Sequence, residues 1–321
     1  RAKGQGKAAG AGLLGLDSLA EFDWAVALGE ERLSREEMER LASLKVPLVQ
    51  VRGQWVELRP HEIEAALRFF QQKQEGTLGE ALRLALGGES PAGLPVSGVQ
   101  GDGWLATILE DLSSGVRLEE LPSPNQFQGS LRPYQAKGLS WLAFLDRFGL
   151  GACLADDMGL GKTIQLIALL LHERSDGREP GPTLLVAPMS VVGNWQREVE
   201  RFAPSLRTVV HHGTGRHTGK TLVREARQHD LVITTYALAH RDLATLSEVP
   251  WHRVVLDEAQ NIKNPSAQQT QAIRSLRAGR RVALTGTPVE NRLSDLWSIM
   301  EFLNPGYLGP AEQFRRRFAI P

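Results

Sequence analysis

Ala152-Cys-Leu-Ala-Asp-Asp-Met-Gly-Leu-Gly-Lys-Thr163 is the stretch on which the reading of this chain turns. Residues 152–155 make a short apolar run, the kind that suits a strand buried on both faces of a parallel sheet. Two glycines, a lysine and a threonine follow, and then an apolar stretch with helical spacing over residues 165–172. Strand, glycine turn and helix in that order make a phosphate-binding loop. Gly159 and Gly161 let backbone N–H groups face a phosphate with no Cβ in the way, and the helix N-terminus adds its positive end at the same point. Lys162 is placed to reach the β- and γ-phosphates, and the Thr163 hydroxyl to reach Mg²⁺. One position departs from the GxxxxGK[ST] pattern, because Asp156 stands where the first glycine belongs. Taken alone, the same letters also describe a glycine-rich turn that merely joins a strand to a helix.

Working outward, further apolar runs fall at 184–187, 231–234, 254–256 and 282–284, with helical stretches such as 165–172 and 195–202 between them. That alternation predicts the βαβ order of a doubly wound α/β fold. The run at 254–256 leads into Asp257-Glu-Ala-Gln260, which puts two adjacent carboxylates at the C-terminal edge of the sheet, where open α/β sheets bind ligands. There Asp257 can hold Mg²⁺ directly or through water, and Glu258 can orient and deprotonate an attacking water.

The 321-residue length gives a first expectation of two domains at roughly 150 residues each. Two prolines, a serine and an asparagine in Leu121-Pro-Ser-Pro-Asn125 suggest the boundary. The reading is a flexible Gly/Ala/Lys-rich segment at 1–12, an accessory domain at 13–125 and a larger domain at 126–321. Within the accessory domain, Ser34 and Glu37 form a capping box ahead of a short amphipathic helix. Residues 48–51 and 54–58 alternate around Arg52-Gly53 as a two-residue hairpin. Ile63, Leu67 and Phe70 fit a second helix and 87–103 a loop, so this part is a compact α+β module, with a winged helix as one form it could take.

Composition narrows the function classes. No apolar run reaches the roughly 18 residues of a membrane span. The single cysteine, Cys153, leaves no disulfide framework and no Cys-rich zinc site, which fits reducing cytoplasm. Net charge is zero, yet residues 1–130 carry 13 Lys+Arg against 19 Asp+Glu, a net of −6, leaving +6 for residues 131–321. The second part is the side expected to meet phosphates. His211 and His212 read as strand-end residues, because adjacent side chains on a strand point apart and no HExxH or Cys partner accompanies them. Guanine-reading Asn-Lys-x-Asp and the Leu-Ser-Gly-Gly-Gln signature of transporter ATPases are both absent.

Several motifs in one order resemble the Swi/Snf-type ATPases of helicase superfamily two, over about residues 128–311. Leu131-Arg-Pro-Tyr-Gln135 is similar to the segment in which a glutamine reads adenine, which assigns Gln135, with Arg132 beside it, to nucleotide binding. The family's own loop carries an aspartate in place of the first glycine, so Asp156 fits, and Asp157, Met158, Gly159, Leu160, Gly161, Lys162 and Thr163 become the loop's nucleotide contacts. Val186-Ala-Pro-Met-Ser-Val-Val-Gly-Asn-Trp195 and Ile233-Thr-Thr-Tyr236 resemble motifs with DNA-backbone contacts, giving Ser190, Asn194, Thr235, Tyr236 and Lys263 as candidates. Asn194 and Thr235 also read as a helix cap and a strand end. Asp257-Glu-Ala-Gln260 matches the magnesium-and-water motif, with Gln260 where histidine is common. Leu284-Thr-Gly-Thr-Pro288, continued by Glu290-Asn291 and Leu296-Trp297, looks like the motif that couples nucleotide state to DNA grip, through Thr285, Gly286 and Thr287.

The resemblance implies an α/β fold: a RecA-like P-loop lobe with a mostly parallel sheet flanked by helices, preceded by a smaller α+β accessory domain of a kind found in some bacterial members. It implies ATP and Mg²⁺ as cofactors and double-stranded DNA as partner, in a bacterial, cytoplasmic, nucleoid-associated monomer that translocates along the duplex. The acidic N-terminal part is expected to take a protein partner. A second lobe is expected to supply an arginine worth ~10³–10⁵ in rate, so residues 1–321 alone are expected to be nearly inactive. An RNA-directed helicase and a nucleotide-gated docking module are the alternatives.

Overall fold

A computed structural model describes residues 120–147, 149–175, 179–289 and 292–318, with short stretches upstream at 2–3, 19–22, 26–28, 31–33, 36, 40, 48–51, 54–57 and 75–77. The chain divides into two compact units, Arg1–Ala9 with Leu16–Val116, and Gly10–Gly15 with Arg117–Pro321. The division therefore falls at 116/117 rather than at the expected 125/126. Residues near the proline pair are claimed by the second unit, where the Leu121 N–H donates to Ser140 Oγ at 2.9 Å and the Leu121 side chain packs on the core.

In the first unit, Leu48–Val51 pairs antiparallel with Gln54–Glu57, and Val51 faces Gln54 across the register that a two-residue turn imposes. Leu19–Phe22 pairs antiparallel with Ala2–Lys3 and with Glu75–Thr77, and Val26–Leu28 pairs with Glu31–Leu33. Part of the segment read as flexible thus lies in a sheet, since backbone pairing with Phe22 and Glu21 outweighs a composition that favours no structure. Glu36 and Arg40 are helical, within the stretch read from sequence as a short helix, while Ser34 and Glu37 of the expected capping box lie outside the described residues. The helix expected near 63–70 and the loop at 87–103 lie outside the described residues.

The second unit holds one six-stranded sheet. Its strands are β1 (Ala152–Leu154), β2 (Thr183–Ala187), β3 (Thr208–Val210), β4 (Leu231–Thr235), β5 (Trp251–Asp257) and β6 (Ala278–Leu284). Their order is β3-β4-β2-β5-β6-β1 and every pairing is parallel. Helices cover both faces: α1 (Pro133–Arg147), α2 (Lys162–Glu173), α3 (Met189–Phe202), α4 (Gly219–Gln228), α5 (Tyr236–Arg241), α6 (Leu243–Leu246), α7 (Gln268–Ser275), α8 (Leu293–Leu303) and α9 (Ala311–Phe318).

The strand periodicity explains why the runs are apolar throughout. In β2, Leu185 and Ala187 join the core that holds Leu166, Trp195 and Val199, while Leu184 and Val186 join the opposite core with Leu222, Ile273 and Phe302. Alternate side chains point to opposite faces, so a strand covered on both sides needs no polar positions. Each such buried aliphatic side chain contributes about 1.5–3 kcal/mol.

Three elements differ from the sequence reading. Strand β3 entered the sequence reading only through the strand end assigned at His211 and His212; it is a three-residue edge strand, half-buried, too short to carry a pattern. Helix α3 begins at Met189, not Trp195, because Pro188 takes the N-cap position, where the lack of an N–H is harmless. Asn194 therefore lies inside the helix and cannot be its cap; its Nδ2 donates to Glu198 Oε1 one turn on, at 3.2 Å. Finally, β5 starts at Trp251 and passes a fully buried arginine, Arg253. Its guanidinium binds Glu173 at the end of α2 and reaches Asp146 at the end of α1 at 2.6 Å, which is how a polar strand position survives in the core.

Candidate nucleotide site

The phosphate loop lies between β1 and α2, at the C-terminal edge of the sheet. Gly159 and Gly161 take φ of +83° and +77°, conformations that L side chains rarely adopt. Gly161 is constrained twice, since a Cβ there would come within 2.6 Å of Gln135 Nε2. Lys162 Nζ folds back onto the loop, donating to the carbonyls of Asp156 at 2.7 Å and Asp157 at 3.1 Å. Its ammonium is thereby held inside the ring of backbone that a phosphate would enter. Thr163 sits half-buried in the first turn of α2.

Asp156 has a visible role. Its Oδ2 accepts from Gln165 Nε2 at 2.8 Å, a bond that ties the start of the loop to the helix beyond it. Gln165 is fully buried and reaches past Gly138 of α1, where a Cβ would stand 1.7 Å from Gln165 Oε1. A glycine at 156 would leave Gln165 without this partner.

Gln135 is buried in the first turn of α1, and both ends of its amide are engaged. Oε1 accepts from the Arg132 N–H at 2.9 Å and Nε2 donates to the Leu160 carbonyl at 3.1 Å. It thus clamps α1 to the phosphate loop. Arg132 is exposed, and its backbone rather than its side chain takes part.

Asp257 is the last residue of β5 and Glu258 follows with φ +50°, ψ +58°, the one positive-φ non-glycine among the described residues. Such a conformation costs of order 1–3 kcal/mol and is found where neighbours over-determine it. The neighbours are visible. Tyr236 Oη donates to the Asp257 carbonyl at 2.8 Å, and Gln260 Nε2 donates to Glu258 Oε2 at 2.7 Å. Gln260 Oε1 in turn accepts from Thr285 Oγ1 at 2.8 Å, and Thr285 Oγ1 accepts from the Thr287 N–H at 3.1 Å. A continuous line of hydrogen bonds therefore runs from the loop after β6 to the carboxylate of Glu258. Thr285 is fully buried and its N–H donates to Leu154 O at the end of β1. Gly286 lies against the phosphate loop, where a Cβ would be 3.1 Å from Met158 Cγ.

Burial pushes the Asp257 carboxyl above its ordinary value, with the charge of Glu258 adding to the rise and a hydrogen bond from the Trp195 indole opposing it. Burial, then the charges of Asp257 and Glu258, raises the Tyr236 phenol well above its ordinary range. The donor chemistry fits magnesium: a threonine hydroxyl in the loop and one strand-end carboxylate are hard oxygen ligands of the kind that leave most positions to water and phosphate.

The candidate DNA-facing residues separate. Ser190 and Asn194 are exposed, one helical turn apart on α3. Thr235 is buried and caps α5, its Oγ1 accepting from the Leu238 N–H. Tyr236 is also buried with its hydroxyl turned inward, so as placed these two offer no side chain to a duplex; the interior claims them first. Lys263 is half-buried at the end of the turn that follows Gln260. His211 is buried and meets Asp242 at 2.9 Å, while His212 is exposed, as adjacent residues beyond a strand end should be. Two contributors were missed from sequence, Gln165 and Trp195; both sit at core-spaced helix positions, where a polar function leaves no periodic signal.

Residues 134–321 match the model of the SNF2-related domain. The chain belongs to the SNF2-related family. A second model, described as SNF2 helicase protein, matches residues 1–86. A protein of Bacillus subtilis described as an ATP-dependent helicase/translocase, YwqA, is 42% identical across 100% of this chain and 36% of its own length. The TATA-binding protein-associated factor MOT1 of Saccharomyces cerevisiae is 34% identical over 74% of this chain and 13% of its own. This chain therefore spans about a third or less of these relatives. A solved structure of the Sulfolobus solfataricus SWI2/SNF2 ATPase core in complex with dsDNA is 46% identical, with a TM-score of 0.57, covering 63% of this chain and 41% of that one. The six parallel strands flanked by helices are the RecA-like lobe of an SNF2 ATPase core.

Proposed function

We propose that this chain is the ATP-binding lobe of a motor that moves along double-stranded DNA by hydrolysing ATP with Mg²⁺. The observation that carries the reading is the unbroken line from Thr287 through Thr285 and Gln260 to Glu258, since it links a loop beside the nucleotide to the residue that handles water. In this reading Lys162 leaves the carbonyls of Asp156 and Asp157 to bind the β- and γ-phosphates, and Gly159 and Gly161 offer main-chain N–H groups. Thr163 and Asp257 hold the metal, which supplies charge neutralisation on the phosphates. Glu258 accepts a proton from water aligned with the γ-phosphate. Gln260 holds the base by its Oε2, so a shift at Thr285 repositions the base.

Ser190 and Asn194, with the backbone N–H groups near them, suit phosphate contacts that fix position without reading sequence. That the SWI2/SNF2 core of Sulfolobus solfataricus is seen with dsDNA supports duplex as the partner. Besides Tyr134, Trp141 and Phe318, the large exposed hydrophobic side chains among the described residues are Met158, Leu160, Met189, Val289 and Leu293, which follow strand ends or lie in the phosphate loop, at the C-terminal edge of the sheet. A second lobe closing over this edge accounts for them and supplies the arginine that speeds hydrolysis, so residues 1–321 alone turn over slowly. A cytoplasmic, nucleoid-associated location and a protein partner for the acidic N-terminal unit complete the reading.

The test is ATPase activity of the full-length protein in buffer and with duplex DNA, single-stranded DNA or RNA, against Glu258→Gln. Stimulation by duplex that vanishes in the variant supports the motor. Stimulation by RNA moves the assignment to an RNA helicase, and no stimulation by any nucleic acid sinks the translocase reading.

A further inference from the structure

The carboxylate assigned to magnesium is held from a side that its own motif does not supply. Trp195 is 1% exposed, and its indole Nε1 donates to Asp257 Oδ2 at 2.6 Å. Asp257 Oδ1 accepts from the Glu258 N–H at 3.0 Å. An indole has one donor and no acceptor, so its bond to a carboxylate fixes the plane of that carboxylate and specifies which oxygen is engaged. The bond is charge-assisted and buried, the setting in which such bonds are short and strong.

Trp195 also sits on α3, whose exposed residues include Ser190 and Asn194. Val192 and Val199 bury the same face of that helix as Trp195 does. The helix cannot slide or roll without carrying the indole, and the indole cannot move without turning Asp257 or losing its bond.

We propose that Trp195 is a positioning residue for the magnesium site: its indole N–H presets the orientation of Asp257 and makes metal affinity depend on where α3 stands. The proposal rests on the reading of Asp257 as the magnesium carboxylate. It predicts that removing the N–H while keeping an aromatic ring weakens Mg²⁺ binding and leaves metal-free nucleotide binding alone. Outer partners of metal-binding groups commonly matter by about 10- to 100-fold in metal affinity.

The experiment uses the 321-residue chain, whose seven tryptophans give at most seven indole N–H signals in a ¹⁵N-resolved NMR spectrum. The Trp195 signal is identified by its loss in Trp195→Phe. It is expected to stay in place when ADP is added with a chelator and to shift when Mg²⁺ is then supplied. In parallel, the Mg²⁺ concentration giving half-maximal binding of a fluorescent ADP analogue is expected to rise about tenfold or more in Trp195→Phe, with binding in chelator unchanged. Should that variant fail to fold, Asp257→Asn identifies the same signal in the wild-type spectrum by moving it, because a neutral amide is a weaker acceptor than a carboxylate. An indole signal that ignores Mg²⁺, or an unchanged Mg²⁺ midpoint, overturns the proposal while leaving the ATP site standing. A chain that binds no ADP under either condition removes the ATP-site reading and this inference with it.

Discussion

Replacing Arg253 by methionine is expected to destabilise the lobe strongly at neutral pH, with the loss shrinking only as the pH falls below about 4. In the native protein burial would raise the Glu173 carboxyl, but the charge and hydrogen bonds of Arg253, helped by His252, outweigh it and hold that carboxyl far below its ordinary range. A depressed carboxyl contributes stability that is fully present above its unfolded value of about 4.3 and is lost progressively as pH falls from there toward the much lower folded value, so most of it is still present at about pH 4. Methionine fills the aliphatic volume and removes the charge. Glu173 is then left with His252 at 3.6 Å, and Asp146 keeps Arg280 at 3.2 Å. With burial opposed only by His252, the Glu173 carboxyl rises from its depressed position, and charging it in the folded state no longer favours folding as it does in the native protein. Breaking a buried pair costs about 3–5 kcal/mol, and the remaining partners put this case at about 3. At a typical urea slope of about 2 kcal/mol/M, the midpoint falls by roughly 1.5 M at pH 7. Tryptophan fluorescence during urea unfolding at pH 7 and near pH 3 measures the loss and its decline. A variant as stable as the parent at pH 7, or a loss that does not shrink on acidification, would show that the network is not what holds β5 to α1 and α2.

Other expectations concern the site. Gln260→Leu, which breaks the line between Thr285 and Glu258, should lower kcat of the full-length protein about 10- to 100-fold with KM for ATP within about threefold, since one hydrogen bond to a charged base is worth ~1.5–3 kcal/mol; a rise in KM alone would contradict the assignment. Gly161→Ala should lower affinity for a fluorescent ATP analogue at least about tenfold, because both its φ and the nearby Gln135 amide exclude a methyl group. Glu258→Gly should abolish hydrolysis yet unfold at higher temperature than Glu258→Gln, by about 1 kcal/mol, because glycine relaxes the positive φ; equal melting temperatures would argue that the conformation is unstrained.

Much of the lobe was legible because burial on both faces writes itself as unbroken apolar runs, as at 184–187 and 231–234. The phosphate loop and the Asp257-Glu258 pair were legible for a different reason: glycines and carboxylates at a strand end have few other uses. What stayed hidden lacked any period. Strand β3 has three residues and one neighbour, so alternation had no room to show. Arg253 reads as a break in a strand until the two helix-end carboxylates it neutralises are brought to it from 80 and 107 residues away. Thr235 and Tyr236 show the reverse problem, since a motif named them for DNA while packing turned both inward. Trp195 read only as the start of a helical stretch and the end of a motif, and nothing in either announces that one indole N–H reaches a carboxylate 62 positions on.

The line of hydrogen bonds that ends at Glu258 begins at a main-chain amide, the N–H of Thr287. Every side chain at position 287 except proline presents that same N–H. A substitution survey would therefore find Gln260 and Thr285 sensitive, while no side-chain replacement at position 287 other than proline removes the first contact in the chain. Sequence variation among relatives carries the same blind spot: a backbone group can be indispensable while the residue that bears it drifts. Exchanging the amide for an ester at this one position, which deletes the N–H and little else, is the perturbation that would make it visible.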